Sequence, residues 1–233
     1  MIVLNFILPV YGYQTVQKKQ IDVLLKENEN GLPIFSNYKK ETYMIPMRDG
    51  IKLATDIYLP DNINGTHGAI LIRTPYNKDD MNMASWANEG WPTVVQDMRG
   101  RYDSEGVDTV FRNAHTDGPD TLEWIANQEW SNGKIASFGG SALGINQYYM
   151  AGANPKNLAC QYIQVASPNL YKPVIYQGGQ FRKYMIEGWL EGQNSLFVLP
   201  EYFENENYTM NYWTNTSLED NWHDVNAPAI HIG

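Results

Sequence analysis

A single cysteine, Cys160, occurs in the 233 residues, which excludes an intrachain disulfide and any cysteine-based metal site. Its apolar sequence neighbours predict a buried, structural thiol. Basic residues are in deficit, 17 Lys and Arg against 26 Asp and Glu, for a net charge of -9. That charge repels phosphate backbones, and no Lys/Arg run interleaved with aromatics rises above it, so nucleic acid is not an expected partner. No apolar run reaches the length of a membrane span, and stable membrane insertion is not expected. Zinc-ligand spacing, a phosphate loop and a dinucleotide fingerprint are all missing, so the expected cofactors are none. No signal for an oligomeric state is present.

What the chain does have is apolar mass: 43% hydrophobic residues, with seven Trp and sixteen Tyr. That is enough for one large core or for a core with a smaller lobe, and the aromatics read either as an aromatic-lined cavity or as core. Residues 2–10 are apolar apart from Asn5 and have the length of a signal-peptide core. No Lys or Arg precedes them and no A-x-A site follows. Residues 1–40 are read as a leader and N-terminal extension, and the protein as exported, periplasmic or secreted, with a cytoplasmic location as the alternative. The glycosylation triplets at Asn64, Asn207 and Asn215 matter only in a source that glycosylates.

Residues 43–47 and 51–59 alternate apolar and polar side chains around Arg48-Asp49-Gly50, a hairpin signal. Residues 68–73 and 92–97 are short apolar runs suited to strands covered on both faces, and residues 79–89 between them are compatible with a helix. Pro119 stands at a plausible first helical position, with Leu122, Ile125 and Ala126 recurring on one face until Ser131-Asn132-Gly133. Residues 134–138 read as a strand, 142–151 as a helix and 158–166 as a strand. Alternating strands and helices predict an α/β fold with a mostly parallel sheet and right-handed crossovers. From residue 170 the composition turns to Tyr, Trp, Glu and Asn, and the rhythm returns only at 227–233. The expected division is therefore a core over 41–169, an inserted lobe over 170–226, and a returning core strand at 227–233. A chain that stops on such a strand is expected to be truncated.

The stretch Lys134-Ile-Ala-Ser-Phe-Gly-Gly-Ser141-Ala-Leu-Gly144 is a strand, a glycine-flanked serine and a helix. A nucleophile elbow has this layout, because a sharp turn must hold the serine hydroxyl clear of the sheet while adjacent chains approach closely. Leu143 stands where the usual G-x-S-x-G pattern has its second glycine, and a Gly-Gly-Ser stretch alone also reads as an ordinary loop. Placement between a strand and a helix favours the elbow, with Ser141 as nucleophile.

Five ordered blocks extend the pattern: Met47-Arg-Asp-Gly-Ile-Lys-Leu-Ala-Thr-Asp56, Arg73-Thr-Pro-Tyr-Asn-Lys78, Gln96-Asp-Met-Arg-Gly-Arg-Tyr-Asp-Ser-Glu-Gly106, Asp117-Gly-Pro-Asp-Thr-Leu-Glu-Trp124 and Gly139-Gly-Ser141. Together they resemble the cocaine esterase and X-Pro dipeptidyl-peptidase family of serine hydrolases, which also holds glutaryl cephalosporin acylases and α-amino acid ester hydrolases. The resemblance covers residues 41–233. It implies an α/β-hydrolase core with an inserted helical cap, a C-terminal jelly-roll domain in complete members, and a small-molecule ester, amide or short peptide as substrate. It also implies that Ser141 is acylated, that the Tyr76 hydroxyl joins the oxyanion hole, and that the backbone N–H of Ala142 is the second donor. Without the resemblance, Tyr76 reads as a turn-flanking surface aromatic. Many relatives carry a tyrosine where this chain has Ala142. Arg99, Arg101 and Asp103 read as loop-bracing ion pairs rather than substrate contacts.

In this fold the triad runs Ser, then Asp or Glu, then His. His67 and His115 precede the serine, His223 falls in the inserted lobe, and His231 lies within the last strand with its side chain expected toward a sheet layer. None is a good general base, and Asp224 stands before the last strand. The triad acid and histidine are therefore expected beyond Gly233, and residues 1–233 alone are expected to be inactive, with no useful turnover. Glu187, Glu191, Glu201 and Glu204 read as solvated helix faces, with an acidic site for a substrate amine as the alternative. The leading functional reading is a serine hydrolase acting through an acyl-enzyme on Ser141, and the other is a catalytically silent fold that binds a ligand or partner through its aromatic lobe.

Overall fold

The computed structural model describes residues 38–61, 63–208, 210–219 and 221–233, and the apolar run at residues 2–10 lies outside them. Strands β1 (Tyr38–Pro46) and β2 (Lys52–Pro60) form the hairpin anticipated around Arg48-Asp49-Gly50. Gly50 closes the turn at φ 87° and donates its N–H to the Met47 carbonyl at 2.9 Å. Next come β3 (His67–Thr74), α1 (Ala84–Asn88), β4 (Thr93–Asp97), α2 (Ala114–Ala126), β5 (Ser131–Gly140), α3 (Ala142–Gly152) and β6 (Leu158–Gln164). The short pair β7 (Tyr176–Gln177) and β8 (Gln180–Phe181) follows, and then β9 (Ala229–Ile232).

Among the described residues, seven strands make one sheet in the order β1-β2-β4-β3-β5-β6-β9. From β4 through β9 all pairings are parallel, while the β1–β2 and β2–β4 pairings are antiparallel. Successive side chains of a strand point to opposite faces, so the doublets Ile57-Tyr58, Leu71-Ile72 and Val94-Val95 supply both layers at once. Ile57, Leu71 and Val94 pack with Leu122, Ile125 and Met150 of α2 and α3, whereas Tyr58, Ile72 and Val95 pack with Ala87 of α1. Helices therefore cover both faces of a mostly parallel sheet, the α/β architecture read from the alternation of elements.

Several local readings change. Helix α2 begins at Ala114 and holds Pro119 in its interior rather than at its first position. Periodicity alone places the start at the proline. The extra turn is secured by a tertiary contact, the buried Asp117 carboxylate receiving Arg99 Nε and Nη2 at 3.0 and 2.6 Å. The helix expected over 79–89 is one 3-10 turn at Lys78–Asp80 and the short α1, because Lys78 is drawn into ion pairs with Asp79 and Asp103. Strand β5 starts at Ser131, earlier than its apolar run, because Ser131 pairs with His67. Cys160 is exposed, not buried. A register shift between β5 and β6 leaves Ala159 without a partner, since Ile135 faces Leu158 and Ala136 faces Cys160. The shift reverses the alternation, so Gln161 and Ile163 are buried while Cys160 turns outward.

Between β6 and β9 the chain forms α4 (Lys183–Gly192), α5 (Leu199–Glu204) and α6 (Met210–Trp213). The aromatic excess of this segment builds a core. Trp213 is buried with ring centroids 5.2 Å from Tyr171 and 5.4 Å from Tyr202, and its indole N–H donates to the Asn205 carbonyl at 3.1 Å. Among the described residues no helix is long and apolar enough to cross a membrane.

Helix α3 lies so close to the sheet that a Cβ on Gly144 would come within 2.6 Å of Ala166 Cβ. Gly144→Ala is expected to destabilise the fold by about 1–3 kcal/mol through overpacking. Gly188→Ala, in α4 with nothing within 4 Å of the added carbon, is expected to stabilise by about 0.5–1 kcal/mol through helix propensity. Urea unfolding of both variants measures the pair, and equal effects would contradict the packing described.

Candidate active site

Strand β5 ends at Gly140 and α3 starts at Ala142, so the whole change of direction falls on Ser141. Its backbone sits at φ 52°, ψ -124°, a conformation that residues with a side chain rarely adopt. The side chain is exposed and makes no capping bond to the helix. Glycine is needed two residues earlier for a specific reason: Gly139 has φ 151°, and a Cβ there would lie 2.4 Å from Leu143 Cβ. The close approach served by the second glycine of the usual pattern falls here on Gly144, one residue later.

Two buried amides of α3 fix the turn. Gln147 accepts the Ser137 hydroxyl at 2.6 Å and donates to the carbonyls of Gly139, Leu143 and Tyr162, each at 3.2 Å. Asn146 donates to the Arg73 carbonyl at 2.8 Å and to the Ala142 carbonyl at 3.2 Å, linking the first turn of α3 to the end of β3. As the first residue of α3, Ala142 has an N–H with no acceptor inside the helix. The positive end of the helix dipole lies there.

Tyr76 leaves the sheet two residues after β3, whose Leu71 is registered with Ser137 of β5. Tyr76 and Ser141 therefore emerge from the carboxyl ends of neighbouring parallel strands. The flanks of Tyr76 are pinned: its N–H donates to Thr74 Oγ1 at 2.9 Å, and the Lys78 N–H donates to Asp97 Oδ1 at 2.7 Å. Its hydroxyl accepts the Trp189 indole N–H at 3.0 Å. Trp189, Asn146 and Gln147 went unmarked in the sequence. The partners of the two amides are backbone carbonyls or residues ten or more positions away, and only a Gln or Asn in the apolar first turns of a helix gave any hint.

The loop after β4 is a set of ion pairs. Arg99 bridges Asp117 and Asp49, Arg101 reaches Asp108 at 3.2 Å, and Asp103 receives Lys78 Nζ at 2.9 Å. Burial works against the Lys78 charge, but Asp103 and Asp79 outweigh it and hold the ammonium above its usual range. Below the site, Arg73 is fully buried. Burial lowers its pKa against the opposing pull of Asp117, and its Nε donates to Gln96 Oε1 at 2.8 Å.

The histidines are engaged elsewhere. His67 contacts the Asn64 carbonyl at 3.0 Å, His115 the Arg112 carbonyl at 2.8 Å, and the exposed His223 lies 3.5 Å from Asp224. His231 is exposed rather than directed into a covered layer, and it meets the Tyr148 hydroxyl at 2.8 Å. The reason is position: β9 is the edge strand of the sheet. Among the described residues none of these rings hydrogen-bonds to the Ser141 hydroxyl. Glu187 pairs with Lys183 and Glu201 with Arg112, and Glu191 and Glu204 are exposed.

Asp97, which anchors the chain just after Tyr76, has its carboxyl pushed up to about 6 by burial, against the backbone N–H groups of Lys78 and Asp103. A carboxyl raised on folding contributes stability that is present below its unfolded pKa and lost as pH rises through its folded one. The stability of the native protein relative to Asp97→Asn is therefore expected to fall between about pH 4 and pH 6.5. Urea midpoints for both proteins across that range test this, and a constant difference would contradict it.

Residues 49–197 match the family model of the X-Pro dipeptidyl-peptidase (S15 family). Cocaine esterase of Rhodococcus sp. is 36% identical over 155 residues, 63% of this chain and 27% of that protein. A putative serine esterase of Mycobacterium bovis is 22% identical over 195 residues, 70% of this chain and 30% of that protein. The chain thus spans less than a third of the length of these curated relatives. Among solved structures, a CocE/NonD family hydrolase of Staphylococcus aureus superposes with a TM-score of 0.72 at 23% identity, over 82% of this chain and 39% of that one. The esterase Pf2001 of Pyrococcus furiosus superposes with a TM-score of 0.55 at 17% identity, over 84% of this chain and 71% of that one. The five sequence blocks, the elbow on a mostly parallel sheet and the match over residues 49–197 converge: the chain has the α/β-hydrolase fold and belongs to the X-Pro dipeptidyl-peptidase (S15) family.

Proposed function

We propose that this chain carries the nucleophile and oxyanion hole of a serine hydrolase that cleaves a small-molecule ester, an amide or a short peptide. The observation that carries the reading is Ser141, exposed and held at φ 52°, ψ -124° between β5 and α3. A turn with no chemical task has no use for a strained serine, and a strained backbone at a strand-to-helix junction is how this fold presents a nucleophile. Its relatives carry the names esterase and dipeptidyl-peptidase, which agree with acyl transfer.

In the proposed reaction Ser141 Oγ bonds to the substrate carbonyl carbon while a general base takes the hydroxyl proton. The negative oxygen of the tetrahedral intermediate is met by the Ala142 N–H and the Tyr76 hydroxyl. The bond to the leaving oxygen or nitrogen then breaks as the base returns the proton to it, and water cleaves the acyl-enzyme by the same path in reverse. On this reading the base and its acid come from outside the 233 residues, since His67, His115 and His231 are engaged with Asn64, Arg112 and Tyr148, and the exposed His223 lies beside Asp224, which precedes β9.

In the protein as its gene encodes it, Ser141→Ala is expected to abolish labelling by a fluorophosphonate while changing folding stability by less than about 1 kcal/mol. Undiminished labelling would remove Ser141 as nucleophile, and a native protein inert to the probe would favour a silent binding fold. Tyr76→Phe is expected to lower kcat by about 10²-fold or more with a smaller change in KM. Steady-state kinetics on p-nitrophenyl esters measure it, and an unchanged kcat would take Tyr76 out of the oxyanion hole.

A further inference from the structure

The Tyr76 hydroxyl has a partner whose chemistry constrains it. Trp189 Nε1 lies 3.0 Å from the Tyr76 oxygen, and an indole nitrogen donates but never accepts. Tyr76 must therefore be the acceptor in this bond, and its own proton points elsewhere. A phenol that accepts a hydrogen bond is also polarised toward donating one. The bond spans 113 residues of chain, joining the segment after β3 to helix α4 of the inserted lobe.

The indole is held in place independently. Its ring stacks on Phe111 with centroids 5.8 Å apart and planes 22° from parallel. Phe111 is itself buried, in a left-handed turn at φ 72°. Just past the end of α4, the Gln193 side chain and carbonyl both receive the Arg101 guanidinium, whose Nε donates to the Pro75 carbonyl at 3.2 Å. The Ser195 hydroxyl donates to Asp108 at 2.7 Å, and Asp108 pairs with Arg101. Helix α4 is thus tied to the Pro75-Tyr76 segment at two successive residues, through Arg101 at the backbone and through Trp189 at the side chain.

We propose that Trp189 is a positioning residue for catalysis: its indole N–H occupies the acceptor side of the Tyr76 hydroxyl and turns the phenolic proton toward the oxyanion. The segment between β6 and β9 then helps set the geometry of the oxyanion hole through Trp189. This inference rests on the reading of Tyr76 as an oxyanion donor. If that reading holds, the indole bond matters only through Tyr76, and it matters more as charge develops on the substrate oxygen. The effect should therefore fall on kcat and spare KM.

The test is a double-mutant cycle in the protein as its gene encodes it. Trp189→Phe keeps a ring to stack on Phe111 and removes the N–H. It is expected to lower kcat about five- to tenfold, the worth of one hydrogen bond, with little change in KM. In a Tyr76→Phe background the same substitution is expected to change kcat by less than about twofold, because the oxygen it acts through is gone. Equal losses in both backgrounds, or no loss in either, would overturn the proposal. A Tyr76→Phe variant with full kcat would instead sink the oxyanion reading itself, so the two failures are distinguishable. A second measurement leaves position 189 intact. In 15N-labelled protein the Trp189 indole proton is expected to be protected from exchange and to shift and lose that protection on Tyr76→Phe. An unmoved resonance would overturn the proposal whether or not the Trp189 variant folds.

Discussion

One backbone conformation organises this molecule. Ser141 at φ 52°, ψ -124° costs on the order of 1–3 kcal/mol relative to an ordinary turn residue. Strain of that size persists only where the surroundings leave no alternative. Here Gln147 closes three carbonyls around the turn, the Ser141 N–H donates to the Gln164 carbonyl at 2.9 Å, and Gly144 lets α3 settle against Ala166. The parallel sheet, the tight helix packing and the buried amides all serve to keep one hydroxyl pointing outward at the end of β5.

What the sequence disclosed follows from range. The β1-β2 hairpin, the apolar strands and helix α3 are written in neighbouring residues, through alternation, glycine placement and short apolar runs, and the structure reproduces them. The elbow was legible for the same reason, since its strand, glycines and helix are contiguous. The early start of α2 was not legible. It depends on Arg99 reaching Asp117 from a loop eighteen positions away, and helix periodicity is silent about such a partner. The apolar neighbours of Cys160 point to burial and carry no sign of the register shift at Ala159, which turns the thiol outward.

The site divides along the same line. Ser141 is picked out by the local run of strand, glycines and helix, whereas the reading of the Ala142 N–H as an oxyanion donor came with the family resemblance. Tyr76 needed a resemblance to five ordered blocks before it meant more than a surface aromatic. Trp189 could not be found at all, because its meaning lies in an atom 113 positions away in sequence and 3.0 Å away in space. A tryptophan within an aromatic-rich insert reads as core, and the stacking on Phe111 shows that it is core as well. The ion pairs of the loop after β4 have a similar double character. Arg101 braces that loop through Asp108 and reaches both Pro75 and Gln193, so one guanidinium fixes the segment before Tyr76 and the end of α4 together.

The outward turn of Cys160 has a practical side. With a single thiol in the chain, exposed on β6 and registered with Ala136, a maleimide fluorophore or spin label would attach at one defined place. Ala136 precedes Gly140 by four residues of β5, which at about 3.3 Å per residue sets the probe on the order of 13 Å from the elbow along the strand direction. That separation is short enough to sense changes in the surrounding aromatics and long enough to leave Ser141 unobstructed. The register slip therefore gives this chain an attachment point for a spectroscopic reporter beside the strained turn at Ser141.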